Sequence, residues 1–167
     1  MKAKSQGIAG HQSPIMGKDE WLTPQWVLKK LPKFDLDPCA PAATVRPWAT
    51  ADRHICLPED GLTAPWEGRV WCNPPYGKAC GAWLERCADH GDAIAFVFAR
   101  TDTAAWQRHV FGRAHGILFL SGRVTFHHVS GLAAKHNGGA PSALIAYGAF
   151  NAVTLERCGI PGHFVRP

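Results

Sequence analysis

Asn73-Pro74-Pro75-Tyr76 is the segment of this 167-residue chain whose residue types could do the most chemistry. It follows the apolar triplet Val70-Trp71-Cys72, so the two prolines fix a rigid loop just past a buried-type strand. An amide, two prolines and an aromatic ring in that order suit a planar base bearing an exocyclic amine. The Asn73 carbonyl oxygen can accept one amino hydrogen, a backbone carbonyl held by the prolines can accept the other, and Tyr76 can stack on the ring. Two acceptors turn the amine lone pair out of conjugation and toward an incoming electrophile, so no strong base is needed. The plain alternative is that Pro-Pro ends a strand and Tyr76 packs at the surface.

Other residues divide between chemical and structural readings. Arg100 follows the apolar run 93–99 and reaches the same sheet edge, where it could meet phosphate; an ion pair with Asp102 is the simpler expectation. Arg123 and Phe126 lie in a late turn-strand region, where alternation turns Phe126 inward as core. The loop Lys135-His136-Asn137-Gly138-Gly139 could order on a phosphate backbone or be a solvated turn. His127 and His128 would point to opposite faces of a strand. The six cysteines, Cys39, Cys56, Cys72, Cys80, Cys87 and Cys158, contain no C-x-x-C pair, so reduced thiols and no metal site are expected.

These residues need a scaffold. Residues 1–18 are polar without periodicity and read as a flexible tail, leaving 19–167 as one domain. Thr23-Pro24 reads as a helix cap and first turn, with Trp26, Val27, Leu28 and Leu31 as the apolar face before Pro32. Phe34-Asp35-Leu36-Asp37 reads as a strand that Pro38 stops. The stretch 40–65 is loop-like apart from strand residues 54–57. From Arg69 onward, strand 70–72, helix 79–90, strand 93–99, helix 103–111 and strand 116–120 alternate. That order predicts an α/β fold with a mostly parallel sheet. The closely spaced segments 123–126 and 142–147 predict an antiparallel edge.

Composition narrows the function classes. Apolar residues make up 46% of the chain and charged residues 19%, the balance of a globular protein. A formal charge of +5 suits a polyanionic partner. No apolar run approaches a membrane span and the start lacks a signal-peptide core, so no membrane and a cytoplasmic location are expected.

Asn73-Pro74-Pro75-Tyr76 also matches the (Asp/Asn/Ser)-Pro-Pro-(Tyr/Phe) signature of amino-group methyltransferases acting on adenine. The wider chain resembles short phage-type DNA adenine methyltransferases. The resemblance runs through Asp19-Glu20-Trp21-Leu22-Thr23-Pro24, residues 34–40 (Phe-Asp-Leu-Asp-Pro-Cys-Ala) and Glu59-Asp60-Gly61-Leu62. Residues 120–126 and 140–145 continue it in the same order. It implies a Rossmann-like fold, S-adenosylmethionine as methyl donor and DNA as substrate. It further implies that Trp21, Thr23 and Pro24 contact the donor and that Asp37, Pro38 and Ala40 lie beside its methionine part. Asp60 would lie near its adenosine, although Asp52 competes for the ribose hydroxyls. Tyr76, Arg123 and Phe126 would line the target-base pocket. The usual glycine-rich turn after the first strand is replaced here by Pro38-Cys39-Ala40-Pro41-Ala42-Ala43. An RNA-base or protein-glutamine methyltransferase and a non-catalytic nucleic-acid-binding module are the rival readings. Nearly every segment is needed for the sheet and its helices, so no large separate recognition domain is expected, and loops 40–65 and 129–141 or a second subunit would set sequence preference.

Overall fold

A computed structural model describes residues 21–135 and 137–167. The expected tail, Asp19-Glu20 and His136 lie outside the described residues.

The apolar runs form a seven-stranded sheet. Its members are β2 (Leu36–Asp37), β3 (Arg53–His54), β4 (Val70–Cys72), β5 (Ala93–Phe98), β6 (Gly116–Leu120), β8 (Ser142–Tyr147) and β9 (Gly162–Val165), in the order β3-β2-β4-β5-β8-β6-β9. The first four are parallel, whereas β8 runs antiparallel to both β5 and β6, and β9 antiparallel to β6. β6 therefore points the same way as β5. The antiparallel strand expected at an edge is in fact interior: all six residues of β8 are buried, and β9 forms that edge instead. The run Ser142-Ala143-Leu144-Ile145-Ala146-Tyr147 has no polar face to give to solvent, which is the pattern of a strand covered on both sides.

Helices α2 (Cys80–His90) and α3 (Ala149–Arg157) cover opposite faces, with apolar residues joining one or the other of two buried clusters. Alternate β5 residues divide the same way, Ala93, Ala95 and Val97 facing one cluster and Ile94 and Phe96 the other. The segment expected as a helix to Phe111 is π-helical over Trp106–Phe111. Trp106 packs its ring against Phe119 while its indole N–H donates to the Phe98 carbonyl.

A short helix α1 (Gln25–Leu28) follows β1 (Trp21–Leu22), which pairs with β7 (His127–His128) as a separate two-stranded ribbon. The helix corrects the cap expectation, because Pro24 occupies the cap position and no side chain bonds its first turn. Thr23 is buried with its hydroxyl unpartnered among the described residues. No helix of the described residues is long and apolar enough to cross a membrane.

Candidate active site

The chain passes from β2 to β3 on one side of β2, then to β4 on the other. Such a reversal leaves a crevice beyond the carboxyl ends of β2 and β4, where open α/β sheets bind ligands. A cavity of about 300 Å³ occupies it, at the small end of the roughly 300–1,000 Å³ that small-molecule sites span. Its walls bring together Trp21, Thr23, Asp37, Pro38, Ala40, Asp60, Asn73, Pro74, Pro75 and Tyr76. Pro24, Arg123 and Phe126 are not among its lining residues, nor is Asp52.

Asn73 leaves β4 with its amide already oriented. Its Nδ2 donates to the Trp21 carbonyl at 3.0 Å. A carbonyl only accepts, so the amide NH₂ must face it and Oδ1 must face away. That oxygen is buried with no partner among the described residues. Asn73 lines the cavity, and a buried acceptor left unmet there is open to a donor from a ligand.

Tyr76 is held by an aromatic stack. Phe98 lies parallel to it with centroids 4.2 Å apart and 14° between planes, and Phe126 meets it edge-on at 6.0 Å. Phe126 is 5% exposed and also packs on Phe96, so it is core that supports Tyr76 rather than cavity wall. Phe98 covers one face of Tyr76, leaving only the other for a ligand. The phenol oxygen is buried without a partner among the described residues, and burial holds its pKa far above the ordinary range. Tyr76 therefore presents a neutral ring.

Across the cavity, Asp37 ends β2. One carboxylate oxygen accepts the Cys39 backbone N–H at 3.1 Å, and the other accepts the Thr50 hydroxyl. Burial pushes its pKa up to about 6, against the opposing pull of Thr50, Cys39 and the Arg46 charge. Thr50 is itself positioned by His54, whose Nε2 accepts the backbone N–H groups of Thr50 and Ala51 at 3.2 and 3.3 Å. Burial, then Arg46, lowers the His54 pKa and keeps the ring a neutral acceptor.

The far rim is built by close approach. A Cβ on Gly61 would stand 1.8 Å from the Pro38 carbonyl oxygen, and the Trp66 indole donates to the Gly61 carbonyl at 2.7 Å. Only glycine lets the 59–61 rim lie on the β2 loop. Gly61→Ala should cost about 1–3 kcal/mol of stability and weaken ligand binding in the cavity, read by thermal melting and calorimetry. Unchanged melting would show that the two loops are free to part.

Of the two carboxylates competing for ribose, Asp60 lines the cavity and Asp52 is exposed beside His54. Asp60 spends one oxygen on the Leu62 N–H at 2.9 Å. Arg46 and Thr50 also line the cavity and were invisible in the sequence, because they come from the Ala/Pro/Thr-rich stretch that has no periodicity; Glu59, part of the segment 59–62, lines it too. All six cysteines are free; Cys39 lines the cavity with its sulfur 3.9 Å from that of Cys72. Among the described residues, no group of three His, Cys, Asp or Glu side chains could hold a metal ion.

Exposed Lys78, Arg100 and Arg123 follow β4, β5 and β6, three strands whose carboxyl ends share one sheet edge. The expected Arg100–Asp102 ion pair does not form. None of the three cations joins the salt bridges among the described residues, Arg69–Asp92, Arg113–Asp89 and Arg166–Glu156.

No curated protein and no solved structure gives a significant match to the chain. The sequence model of one family, DNA N-6-adenine-methyltransferase (Dam), matches residues 11–156. That span contains β1 through β8, the whole cavity wall and the Asn73–Tyr76 loop. The chain belongs to the DNA N-6-adenine-methyltransferase (Dam) family.

Proposed function

We propose that this protein transfers a methyl group from S-adenosylmethionine to the exocyclic amine of adenine in DNA, on a Rossmann-like sheet. The observation that carries the reading is the unmet Asn73 amide oxygen, oriented by Trp21 and buried in the cavity wall beside Pro74, Pro75 and Tyr76.

The cavity residues fit the donor. Asp37 is a carboxylate for an ammonium, Thr23 holds an unpartnered buried hydroxyl, Trp21, Pro38 and Ala40 supply apolar wall, and Asp60 offers an oxygen toward ribose. When bound, S-adenosylmethionine supplies an electrophilic methyl on a sulfonium.

The chain's own residues do the rest. Asn73 Oδ1 accepts one amino hydrogen of the adenine, and the proline-fixed loop holds a backbone carbonyl for the other. The nitrogen lone pair is thereby turned out of the ring. The open face of Tyr76 stacks on the base, with Phe98 and Phe126 fixing the ring from behind. An adenine buried in duplex cannot reach this cavity, so it must be extruded at a cost of a few kcal/mol. The product's extra proton leaves to solvent, in keeping with a phenol at Tyr76 that stays protonated.

Lys78, Arg100 and Arg123 suit the phosphates beside the extruded base. Neutralising all three should reduce the slope of log affinity for duplex DNA against log salt by roughly 0.9 per residue. An unchanged slope would put the DNA on another face.

The reading is tested by offering the protein labelled S-adenosylmethionine with duplex DNA, matched RNA and a glutamine-containing peptide. Transfer confined to DNA supports it. Transfer to RNA or peptide would move the substrate class, and absence of donor binding would leave a non-catalytic nucleic-acid-binding module.

A further inference from the structure

Among the described residues that line the cavity, Arg46 is the only basic one. It ends a 3-10 turn over Ala43–Val45, and its Nη1 donates to the Pro41 carbonyl at 2.8 Å. Its remaining guanidinium donors meet no acceptor among the described residues. On the same cavity stands Asp37, 3% exposed, near enough for the two charges to interact but joined to Arg46 by no salt bridge.

That arrangement is unusual for structural charges. A buried carboxylate is normally paired, because attraction at low dielectric offsets the cost of removing it from water. Here the carboxylate takes only neutral donors, Thr50 and the Cys39 backbone, while Arg46 on the same cavity wall is tied to the Pro41 carbonyl. Two opposite charges facing one cavity without touching match a ligand that carries both signs a few bonds apart. An α-amino acid end does. The planar guanidinium, with a free pair of donors, fits a carboxylate in bidentate fashion, and the carboxylate at Asp37 fits an ammonium.

We propose that Arg46 and Asp37 are the two poles of a clamp for the zwitterionic amino-acid end of the methyl donor, Arg46 binding its carboxylate and Asp37 its ammonium. This rests on the donor reading given above and adds to it a residue and a ligand group. The site selects molecules that keep the amino acid and discriminates against nucleosides that lack it.

Two probes separate the clamp from a purely structural role for Arg46. S-adenosylhomocysteine carries the amino-acid end; 5′-methylthioadenosine shares its adenosine and thioether but lacks that end. Calorimetric titration of the intact protein should find that Arg46→Gln, which keeps a donor for the Pro41 carbonyl, weakens S-adenosylhomocysteine by roughly 10- to 100-fold. The same substitution should change 5′-methylthioadenosine affinity by less than about twofold. Arg46→Lys should fall between, since it keeps charge and loses the fork. Equal weakening of both probes would overturn the clamp and assign Arg46 to shaping the 41–46 turn. Unchanged binding of both would overturn it as well. If neither probe binds the unaltered protein, the donor reading itself fails.

Discussion

Asn73→Ala is expected to lower methyl transfer by roughly 10²–10³-fold while leaving donor affinity within a factor of about three. The magnitude is that of removing one preorganised hydrogen-bond acceptor or donor from a reacting centre, because only the amine's changing charge feels the loss. The amide oxygen has no partner to abandon among the described residues, so the fold loses the Nδ2 bond to the Trp21 carbonyl. That bond is worth about 1 kcal/mol. Single-turnover kinetics with donor titration reads both quantities. Asn73→Asp is the informative companion: it keeps an acceptor oxygen but replaces the NH₂ facing Trp21 with a second acceptor, so it should retain part of the rate and lose stability. If Asn73→Ala abolished donor binding as well, Asn73 would be part of the donor site and not the amine's acceptor.

Asp37→Asn should move stability and affinity in opposite directions. A carboxylate whose folded pKa is raised from 3.8 to about 6 favours its neutral form in the folded state. The stability this provides is fully present below the unfolded pKa and is lost as pH rises through about 6. At pH 8 the ligand-free fold thus carries an ionised group at a cost on the order of 3 kcal/mol. Asparagine removes the charge, and the Thr50 hydroxyl can rotate to accept from the new amide. The variant should therefore melt higher than the parent at pH 8, by about 1–3 kcal/mol of stability. Donor affinity should fall by 100-fold or more, because the ligand's ammonium would be left buried and unpaired. The unaltered protein should lose donor affinity as pH drops through about 6, and the variant should not. A variant that melts lower and binds the donor normally would make Asp37 a turn residue.

The central strands were legible because each is a continuous apolar run bounded by turn residues. Val70–Cys72, Ala93–Phe98, Gly116–Leu120 and Ser142–Tyr147 all fall where periodicity puts them. Pairing was not legible: nothing local in Ser142–Tyr147 says that it inserts between β5 and β6, since that choice is made by non-local burial. Helix α3 escaped notice because its buried face includes Asn151, which bonds Asp92 and the Tyr147 carbonyl inside the fold. β9 escaped because an edge strand beginning Gly162-His163 has exposed residues and no apolar run. In the site, Asn73–Tyr76 stood out because two prolines after a buried strand have few other uses. Thr23 misled, since threonine before proline signals a helix cap equally well and only the unpartnered hydroxyl reveals otherwise. Arg46 and Thr50 gave no local signal. Their places on the cavity wall arise from the turns that carry the chain from β2 into β3.

The most direct measurement is the identity of the product. Duplex DNA treated with the protein and methyl-labelled S-adenosylmethionine would be digested to nucleosides and separated. The label should elute as N6-methyldeoxyadenosine and fall to near background with Asn73→Ala. Label on another nucleoside, or equal labelling by the Asn73→Ala variant, would contradict it.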